Sequence, residues 1–315
     1  MTDLGRVVVL AGGLSHERDV SLRSGARVAE ELRGQGVSVE LRDADAEFVR
    51  SATDDPPAVV LPMLHGALGE DGALRTVLQM LDLPYVGTEA RACRTAFDKP
   101  IANGVAESAG LVVPPSVVLG HSTFRDLGAA ALLDGVVRAL GLPLAVQPAR
   151  GGSALGVSIV HEVADLPSAM VACFAYGEDA LLQTYVPGTE VAVSVVDTGD
   201  GPVALPPVEI VPDGEFYDYQ ARYTAGATEF FVPARLDADV IAAVSQAAVT
   251  AHLALGLRDL SRTDLIVDES GRATFLEVNV APGMTETSLF PLAVSGAGLT
   301  LGGVVRDLLE RALTR

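Results

Sequence analysis

Lysine is almost absent from this chain: Lys99 stands alone among 21 arginines. With alanine, glycine, valine and proline abundant, this reads as a codon-biased genome that supplies arginine wherever charge alone is needed. A lysine retained against that bias marks a position suited to a compact ammonium. Cysteine is scarce too, and Cys93 and Cys173 lie far apart without metal-ligand spacing. That excludes a disulfide framework and a cysteine-rich zinc site, and reduced thiols in a cytoplasmic protein are expected. No apolar run approaches membrane-spanning length, so no membrane partner is expected. The segment Met1–Arg6 lacks a basic stretch and Val7–Leu10 is too short for a signal-peptide core. Positive charge is also in short supply. A formal net charge of −19 argues against a nucleic-acid partner, whose phosphates need a basic surface. It leaves nucleotides open, because a local cluster of cations suffices for them. Internal repeats and low-complexity segments are missing.

What is present is ample for a soluble globular protein. The 315 residues, 49% hydrophobic and 20% charged, are enough for two or three domains sharing a substantial core. Val7–Leu10 reads as a buried strand, followed by a helix from about His16 to Arg33 that Gly34 and Gly36 end. Strands at Val37–Leu41 and Val59–Leu64, a helix at Leu74–Leu81 and a short strand at Pro84–Val86 continue the alternation. Such alternation predicts an open α/β sheet whose ligands bind beyond the strands' C-terminal ends. Polar residues gather at those ends: Ser15, His16, Glu17 and Ser21 after the first strand, His65, Glu70 and Asp71 after Leu64. Read alone, His65 is a capping or core histidine. The glycines of the first turn do not fit a dinucleotide fingerprint, which excludes NAD.

Further on, a helix from Ile101 to Ala109 follows Asp98-Lys99-Pro100, and a helix-rich stretch covers Phe124 to Leu140. Strands at Leu144–Gln147 and Gly156–Val160 flank a glycine-rich loop, Ala149 to Leu155, whose backbone N–H groups can approach phosphates. Arg150 and Lys99 are cations that the fold could add there. Leu181–Tyr185 and Val191–Val196 are the next strands, with Glu190 between them. The aromatic-rich stretch Glu215 to Tyr223 reads either as a packed loop or as a lid that excludes water. The last helix, Leu299 to Leu313, has the spacing of plain packing.

The stretch Arg262–Leu289 carries the most chemistry. Thr263–Val267 and Ala273–Val280 read as strands joined by a tight turn at Ser270-Gly271. Antiparallel pairing then sets Asp264 opposite Glu277 and Arg262 opposite Asn279. Alternation places Asp264, Glu277 and Asn279 on one face, with Leu265, Val267, Leu276, Val278 and Val280 on the other. An all-oxygen set of this kind suits a hard cation such as Mg²⁺ or Mn²⁺. A solvated edge hairpin is the plainer alternative, but the flanking Arg262 and the Ala281-Pro282-Gly283 turn favour a site.

These residues resemble a known family. Arg-x-Asp, Glu-x-Asn, Pro-Gly-Met-Thr and Ser-Leu, preceded by LSHERDVSL (14–22) and LHGALGEDG (64–72), are similar to the motifs of D-alanine–D-alanine ligases of the ATP-grasp superfamily. The matches run in the family's order from Leu10 to Pro291. The resemblance implies an α/β, multidomain fold: an N-terminal open parallel α/β domain over 1–90, then a two-part ATP-grasp fold. Its central subdomain, 91–181, carries the phosphate loop; its C-terminal subdomain, 182–315, carries the lid and the metal hairpin. ATP, D-alanine and Mg²⁺ or Mn²⁺ are the implied ligands, and a homodimer the implied assembly. Glu17 would grip the ammonium of the first D-alanine, with His65 near its carboxylate, Ser21 assisting and Ser153 orienting it. Lys99, Gln147, Gln183, Glu190 and Arg222 fall at nucleotide-binding positions, Glu190 on the ribose and Arg222 on the terminal phosphate. Arg262 and the Gly283 N–H would stabilise an oxyanion, Ser288 and Leu289 would hold the second substrate, and Tyr223 fits a lid of dipeptide-forming enzymes. Four positions depart from the family: Gln147 replaces a lysine, Gln183 a glutamate, Arg222 a lysine, and Thr287 stands where some members carry histidine. Three other readings compete with this one. They are an ATP-grasp ligase for other amino acids, a non-catalytic nucleotide sensor, and a two-carboxylate hydrolase.

Overall fold

The computed structural model describes residues 3–214, 217, 221, 222, 224 and 226–315. The chain begins with β1 (Val7–Ala11), α1 (Arg18–Gly34), β2 (Val39–Asp43), α2 (Ala46–Asp54), β3 (Val59–Pro62), α3 (Ala67–Glu70) and α4 (Ala73–Met80). The three strands form a parallel sheet in the order β2-β1-β3. Because both faces of β1 are covered, its residues divide by parity between two cores. Val7, Val9 and Ala11 pack with α1, while Val8 and Leu10 pack with Phe48, Leu74 and Leu78 on the opposite side. The expected strand at Pro84–Val86 amounts to one parallel bridge, Tyr85 to Val60.

Next come α5 (Ala90–Phe97), α6 (Lys99–Ser108), β4 (Ser116–Gly120), α7 (His121–Leu127), α8 (Ala129–Leu140), β5 (Leu144–Pro148), β6 (Ser158–Val160), α9 (Leu166–Phe174) and β7 (Asp179–Thr184). Asp98 caps α6 by accepting the Ile101 N–H, and Pro100 occupies the first turn, where its missing N–H costs nothing. The strands make an antiparallel sheet in the order β4-β7-β5-β6. The rest is β8 (Thr189–Val196), β9 (Val203–Ala204), β10 (Val208–Pro212), β11 (Thr228–Phe231), α10 (Ala238–Ala254), β12 (Leu260–Val267), β13 (Ala273–Asn279), α11 (Leu289–Gly296) and α12 (Leu301–Leu313). Here β11-β10-β8-β12-β13 form the path of a larger antiparallel sheet, with β9 added to β8. Glu190 lies inside β8 rather than between strands. Helices α2, α3, α5, α9 and α10 do not emerge from the sequence pattern. In α10 alanine and valine leave little contrast between faces, and only Val244, Ala248, Ala251 and His252 are buried.

The β12–β13 hairpin shows how two irregularities can cancel. Its turn is longer than a two-residue one: Val267 pairs with Ala273, and the Asp268 side chain accepts from the Ser270 and Arg272 N–H groups between them. A bulge between Asp264 and Leu265 then restores the expected register, with Asp264 opposite Glu277 and Arg262 opposite Asn279. One side-chain assignment changes as a result. Phe275, opposite Leu265, enters the core with Val278 and Val280, while Leu276 lines the cavity beside Ile266 and Glu277.

Helix α1 crosses β1 at Gly25, where a Cβ would lie 2.5 Å from the Ala11 Cβ. Gly25→Ala gains about 1 kcal/mol of helix propensity, but overpacking against a sheet costs about 1–3 kcal/mol. Net destabilisation is expected, seen as a lower urea midpoint. An unchanged or higher midpoint would show that α1 can move off the sheet.

Candidate active site

A cavity of about 440 Å³ lies between the two antiparallel sheets. Strand alternation chooses its lining. In β5, Leu144 and Val146 enter the core behind, and Ala145 and Gln147 face the cavity; in β12, Leu265 and Val267 turn inward and Asp264 and Ile266 face it. Lys99, from the first turn of α6, places Nζ 2.7 Å from the Gly151 carbonyl oxygen and 3.1 Å from Glu277 Oε2. The lone ammonium thus joins the helix start, the glycine-rich loop and the hairpin. Arg150 does not join it. Its guanidinium is 64% exposed and pairs with Asp98 at 2.7 Å, outside the cavity lining.

On the hairpin, Arg262 makes a two-pronged pair with Asp264, 2.7 Å on each arm. Burial opposes the guanidinium's charge, but Asp264 and then Glu277 outweigh it and raise its pKa. Burial likewise works against the Glu277 carboxylate, and Lys99, Arg222 and Arg262 more than offset it, holding its pKa below the usual value. Glu190, opposite Ile210 and Ile266 in the sheet, is pushed up to about 7 by burial, with Arg222 opposing and Asp264 and Glu277 adding. Gln147 donates from Nε2 to Gln183 Oε1 at 2.7 Å. Gln183 is 2% exposed, and among the described residues its own Nε2 has no partner.

A second cavity, of about 250 Å³, shares Tyr217 and Arg222 with the first. The Arg222 guanidinium lies over the Tyr217 ring at 4.5 Å and its Nε donates to the Tyr217 carbonyl. On one wall, Ser153 Oγ donates to Glu17 Oε1 at 3.1 Å, and the loop holding Ser153 and Ala154 takes left-handed φ of 56° and 57°. Backbone of that kind is uncommon in non-glycine residues and clusters at functional sites. Glu70 stands beside Glu17, its Oε1 accepting the Gly66 N–H. Burial drives the Glu70 carboxyl up to about 7, with Gly66 opposing and Glu17 adding. On the opposite wall are Arg262, Asn279, Gly283, Thr285 and Ser288. Ser288 precedes α11, and its Oγ accepts the Thr285 N–H at 3.0 Å. A Cβ at residue 283 would lie 2.7 Å from that Oγ, so glycine permits the close turn.

The arrangement is thus a cleft of mixed apolar and charged lining beside a chamber lined by Glu70, with Glu17 bonded behind it to Ser153, and by Arg262. The first suits a nucleoside phosphate; the second suits a small zwitterion. The family model for the D-ala D-ala ligase C-terminus matches residues 105–310. The chain is 41% identical over 308 residues to a D-alanine–D-alanine ligase of Anaeromyxobacter dehalogenans, covering 98% of this chain and 96% of that one. The chain belongs to the D-alanine–D-alanine ligase family. Among solved structures, that of the Bacillus anthracis D-alanine–D-alanine ligase complexed with ATP superposes with a TM-score of 0.83 at 26% identity, covering 98% of both chains. A D-Ala:D-Ser ligase from Enterococcus faecalis gives 0.83 at 26%, covering 98% of this chain and 99% of that one. The ATP-grasp architecture therefore holds for the whole described chain.

Within the family frame, most of the residues singled out in the sequence line these two cavities; Glu17 stands just behind the second, bonded to Ser153, and Ser21, His65 and Leu289 play other parts. Ser21 is fully buried, accepting the Gly12 N–H and donating to the Met63 carbonyl, so it ties two strand ends together and does not reach the cavity. His65 lines the second cavity, yet both ring nitrogens are engaged. Nδ1 faces the Ala281 carbonyl at 3.0 Å and so carries the proton, leaving Nε2 to accept from Ser24. Burial lowers the His65 pKa, with Ala281 and Glu17 only partly offsetting it, so the ring is neutral and braces the 281–284 turn. Leu289 is 5% exposed and presents mainly packing surface at the start of α11. Tyr223 and, in the proposed lid, Glu215, Phe216, Asp218, Tyr219 and Gln220 lie outside the described residues. Sequence reasoning assigned no role to Ser24 or Glu70. Their spacing from Glu17 and His65 was a signal, but only tertiary packing reveals the contacts.

Two carboxylates and one amide share one face of the hairpin, oxygen donors of the kind Mg²⁺ takes. Arg262 holds both Asp264 oxygens, Asn279 Oδ1 accepts the Ala281 N–H at 2.7 Å and Lys99 pairs with Glu277 Oε2, so each donor would share its remaining lone pairs with the ion.

Glu70 also makes stability depend on pH. Its folded-state pKa lies above the ordinary 4.5, so the native state keeps a proton that the unfolded chain has released. This contribution is complete below the unfolded value and is lost as pH rises through about 7. Glu70→Gln should therefore stabilise the ligand-free protein by on the order of 3 kcal/mol near pH 8.5, shrinking toward zero near pH 5. A thermal-unfolding difference independent of pH would remove the assignment.

Proposed function

We infer that this chain joins two D-alanines into D-alanyl-D-alanine, cleaving ATP to ADP and phosphate. The observation that carries this is the meeting of two cavities at Arg222 and the β12–β13 hairpin, with nucleotide-compatible walls on one side and zwitterion-compatible walls on the other. On this reading the phosphates lie toward Lys99 and the loop over 149–155. Glu17, held by Ser153, takes the first ammonium, and Glu70 beside it offers a further oxygen to that wall. A carboxylate oxygen of that substrate attacks the γ-phosphorus, ADP departs, and an acyl phosphate forms. Lys99 and Arg222 offset charge on the transferring group. The amine of the second D-alanine, having given up its proton, attacks the acyl carbon. The oxyanion gathers near Arg262 and the Gly283 N–H, and phosphate leaves as the amide forms. Ser288 and the start of α11 face the second carboxylate. Asp264, Glu277 and Asn279 would hold Mg²⁺, which supplies electrostatic stabilisation of the phosphates when bound. Tyr223 and its neighbours close the site against water in this scheme.

The three-part division at about residues 90 and 181, a homodimer and a cytoplasmic location belong to the same reading. Among the described residues no single helix is long and apolar enough to cross a membrane. Phosphate transfer to a small molecule also gives nucleic acid no role.

The test is ADP release over a panel of D- and L-amino acids, with product mass determined. Release that depends on D-alanine and yields the dipeptide is expected; D-serine belongs in the panel because Thr285, Thr287 and Ser288 line the second cavity. ADP release indifferent to amino acid would overturn the assignment. Glu277→Gln should lower kcat/KM by at least about a hundredfold, since it removes charge at the cation position. Activity within a few-fold of wild type in saturating Mg²⁺ would place the metal elsewhere. Glu17→Ala should raise the KM for the first D-alanine by about a hundredfold while moving that for ATP little, as expected for a lost buried ion pair. Equal losses for both substrates would count against that role.

A further inference from the structure

Gln147 and Gln183 are the two nucleotide-site positions where a charge of the family is replaced by a neutral amide, and the fold makes them a bonded pair. Ala145 opposes Gln183 across β5 and β7, so Gln147, two residues along, shares its cavity face. Gln183 is 98% buried by its 2% exposure, and its Nε2 lacks an acceptor among the described residues. A buried amide N–H left without an acceptor is unfavourable. The residue lines the cavity, and the nitrogen itself is closed off behind that lining, so a base edge meets it once the side chain turns toward the cavity. Of the cations lining the cavity, Arg235 is held by Glu209, whereas Lys99 and Arg222 draw phosphates toward the glycine-rich loop and the hairpin. Ala145, Ile159, Ile210, Ile266 and Leu276 supply apolar surface from both sheets, which suits the two faces of a planar base. The base edge then meets the glutamine pair.

A primary amide carries both a donor and an acceptor, and two of them bonded together can turn over as a unit. In the orientation present, Gln147 donates, Gln183 Oε1 accepts, and Gln183 Nε2 is left to donate to a 6-oxo group. With both amides turned, Gln183 donates to Gln147 and its Oε1 is left to accept from a 6-amino group. The same heavy-atom contact serves both. Lysine and glutamate at these positions allow one orientation only, because an ammonium cannot accept and a carboxylate cannot donate. We propose that the Gln147–Gln183 pair lets the nucleotide site read 6-oxopurine as well as 6-aminopurine triphosphates, so that inosine triphosphate serves beside ATP. This rests on the ligase reading given above.

Inosine triphosphate is the probe, since it differs from ATP only at the purine 6-position and the adjoining N1 proton. Dissociation constants for both nucleotides by calorimetry and kcat/KM for dipeptide formation are measured on the full chain. The expected result is inosine triphosphate within about tenfold of ATP on both scales, the range a pocket tolerates when no buried group is left unpaired. In the double variant Gln147→Lys/Gln183→Glu, checked for folding by its melting curve, the ratio should shift toward ATP by at least a further tenfold, as a carboxylate then opposes the 6-oxo group. Binding of inosine triphosphate more than a hundredfold weaker than ATP by the wild-type chain overturns the proposal, whatever the variant does. So does an unchanged ratio in the folded double variant. Both outcomes leave dipeptide synthesis with ATP intact, whereas equal binding of the two nucleotides without any dipeptide would sustain the base reading and remove the ligase one.

Discussion

Four charges meet where α6, the glycine-rich loop and the β12–β13 hairpin come together: Lys99, Arg262, Asp264 and Glu277. Each is costly to bury alone, and each has an opposite neighbour within about 3 Å. Lys99 reaches Glu277 and the Gly151 carbonyl at once, and Arg262 locks Asp264 from both nitrogens. The cluster therefore holds the distance between the two antiparallel sheets as well as the polarity of the cavity between them. Lysine survives here in a chain that otherwise uses arginine. A compact ammonium fits between a carbonyl and a carboxylate, where a planar guanidinium would demand more room.

The other interactions that shape the site reach across long stretches of chain. Ser153 bonds Glu17 across 136 residues, His65 faces the Ala281 carbonyl across 216, and Ser24 accepts from Met284 across 260. These contacts bring the N-terminal sheet, the phosphate loop and the C-terminal turn into one wall. The same union is visible in the packing, where Val28 and Leu32 of α1 share a core with Leu301, Val305 and Leu309 of α12. Serine and histidine side chains in that wall act largely by bracing one another, which leaves the carboxylates and guanidinium to face the substrate.

The glycine-rich loop adds strain to this picture. Left-handed backbone at both Ser153 and Ala154 is retained against steric preference. What it achieves locally is the direction of the Ser153 hydroxyl toward Glu17, and it sets the loop so close to the two carboxylates that a Cβ at Gly152 would lie 3.7 Å from an oxygen of each of Glu17 and Glu70.

Alternation and capping, both local, let the sequence alone determine much of this molecule. The buried strand over Val7–Leu10, the cap and proline at Asp98–Pro100, and the period-two pattern that puts Asp264 and Ile266 on one face all follow from neighbours in the chain. Ordered motifs likewise carried the family. Tertiary structure decided what depends on partners distant in sequence. The pairing of Asp264 with Glu277 was legible, but the five-residue turn and compensating bulge that produce it were not, and they moved Leu276 from the core to the cavity. Ser21 and His65 had the residue types of ligands, yet their hydrogen-bonding capacity is consumed by Gly12, Met63, Ser24 and Ala281. Glu70 and the Gln147–Gln183 pair became significant only through burial and proximity. Periodicity reports which way a side chain leaves its own backbone; which atom meets it is settled by the packing of elements far apart in the chain.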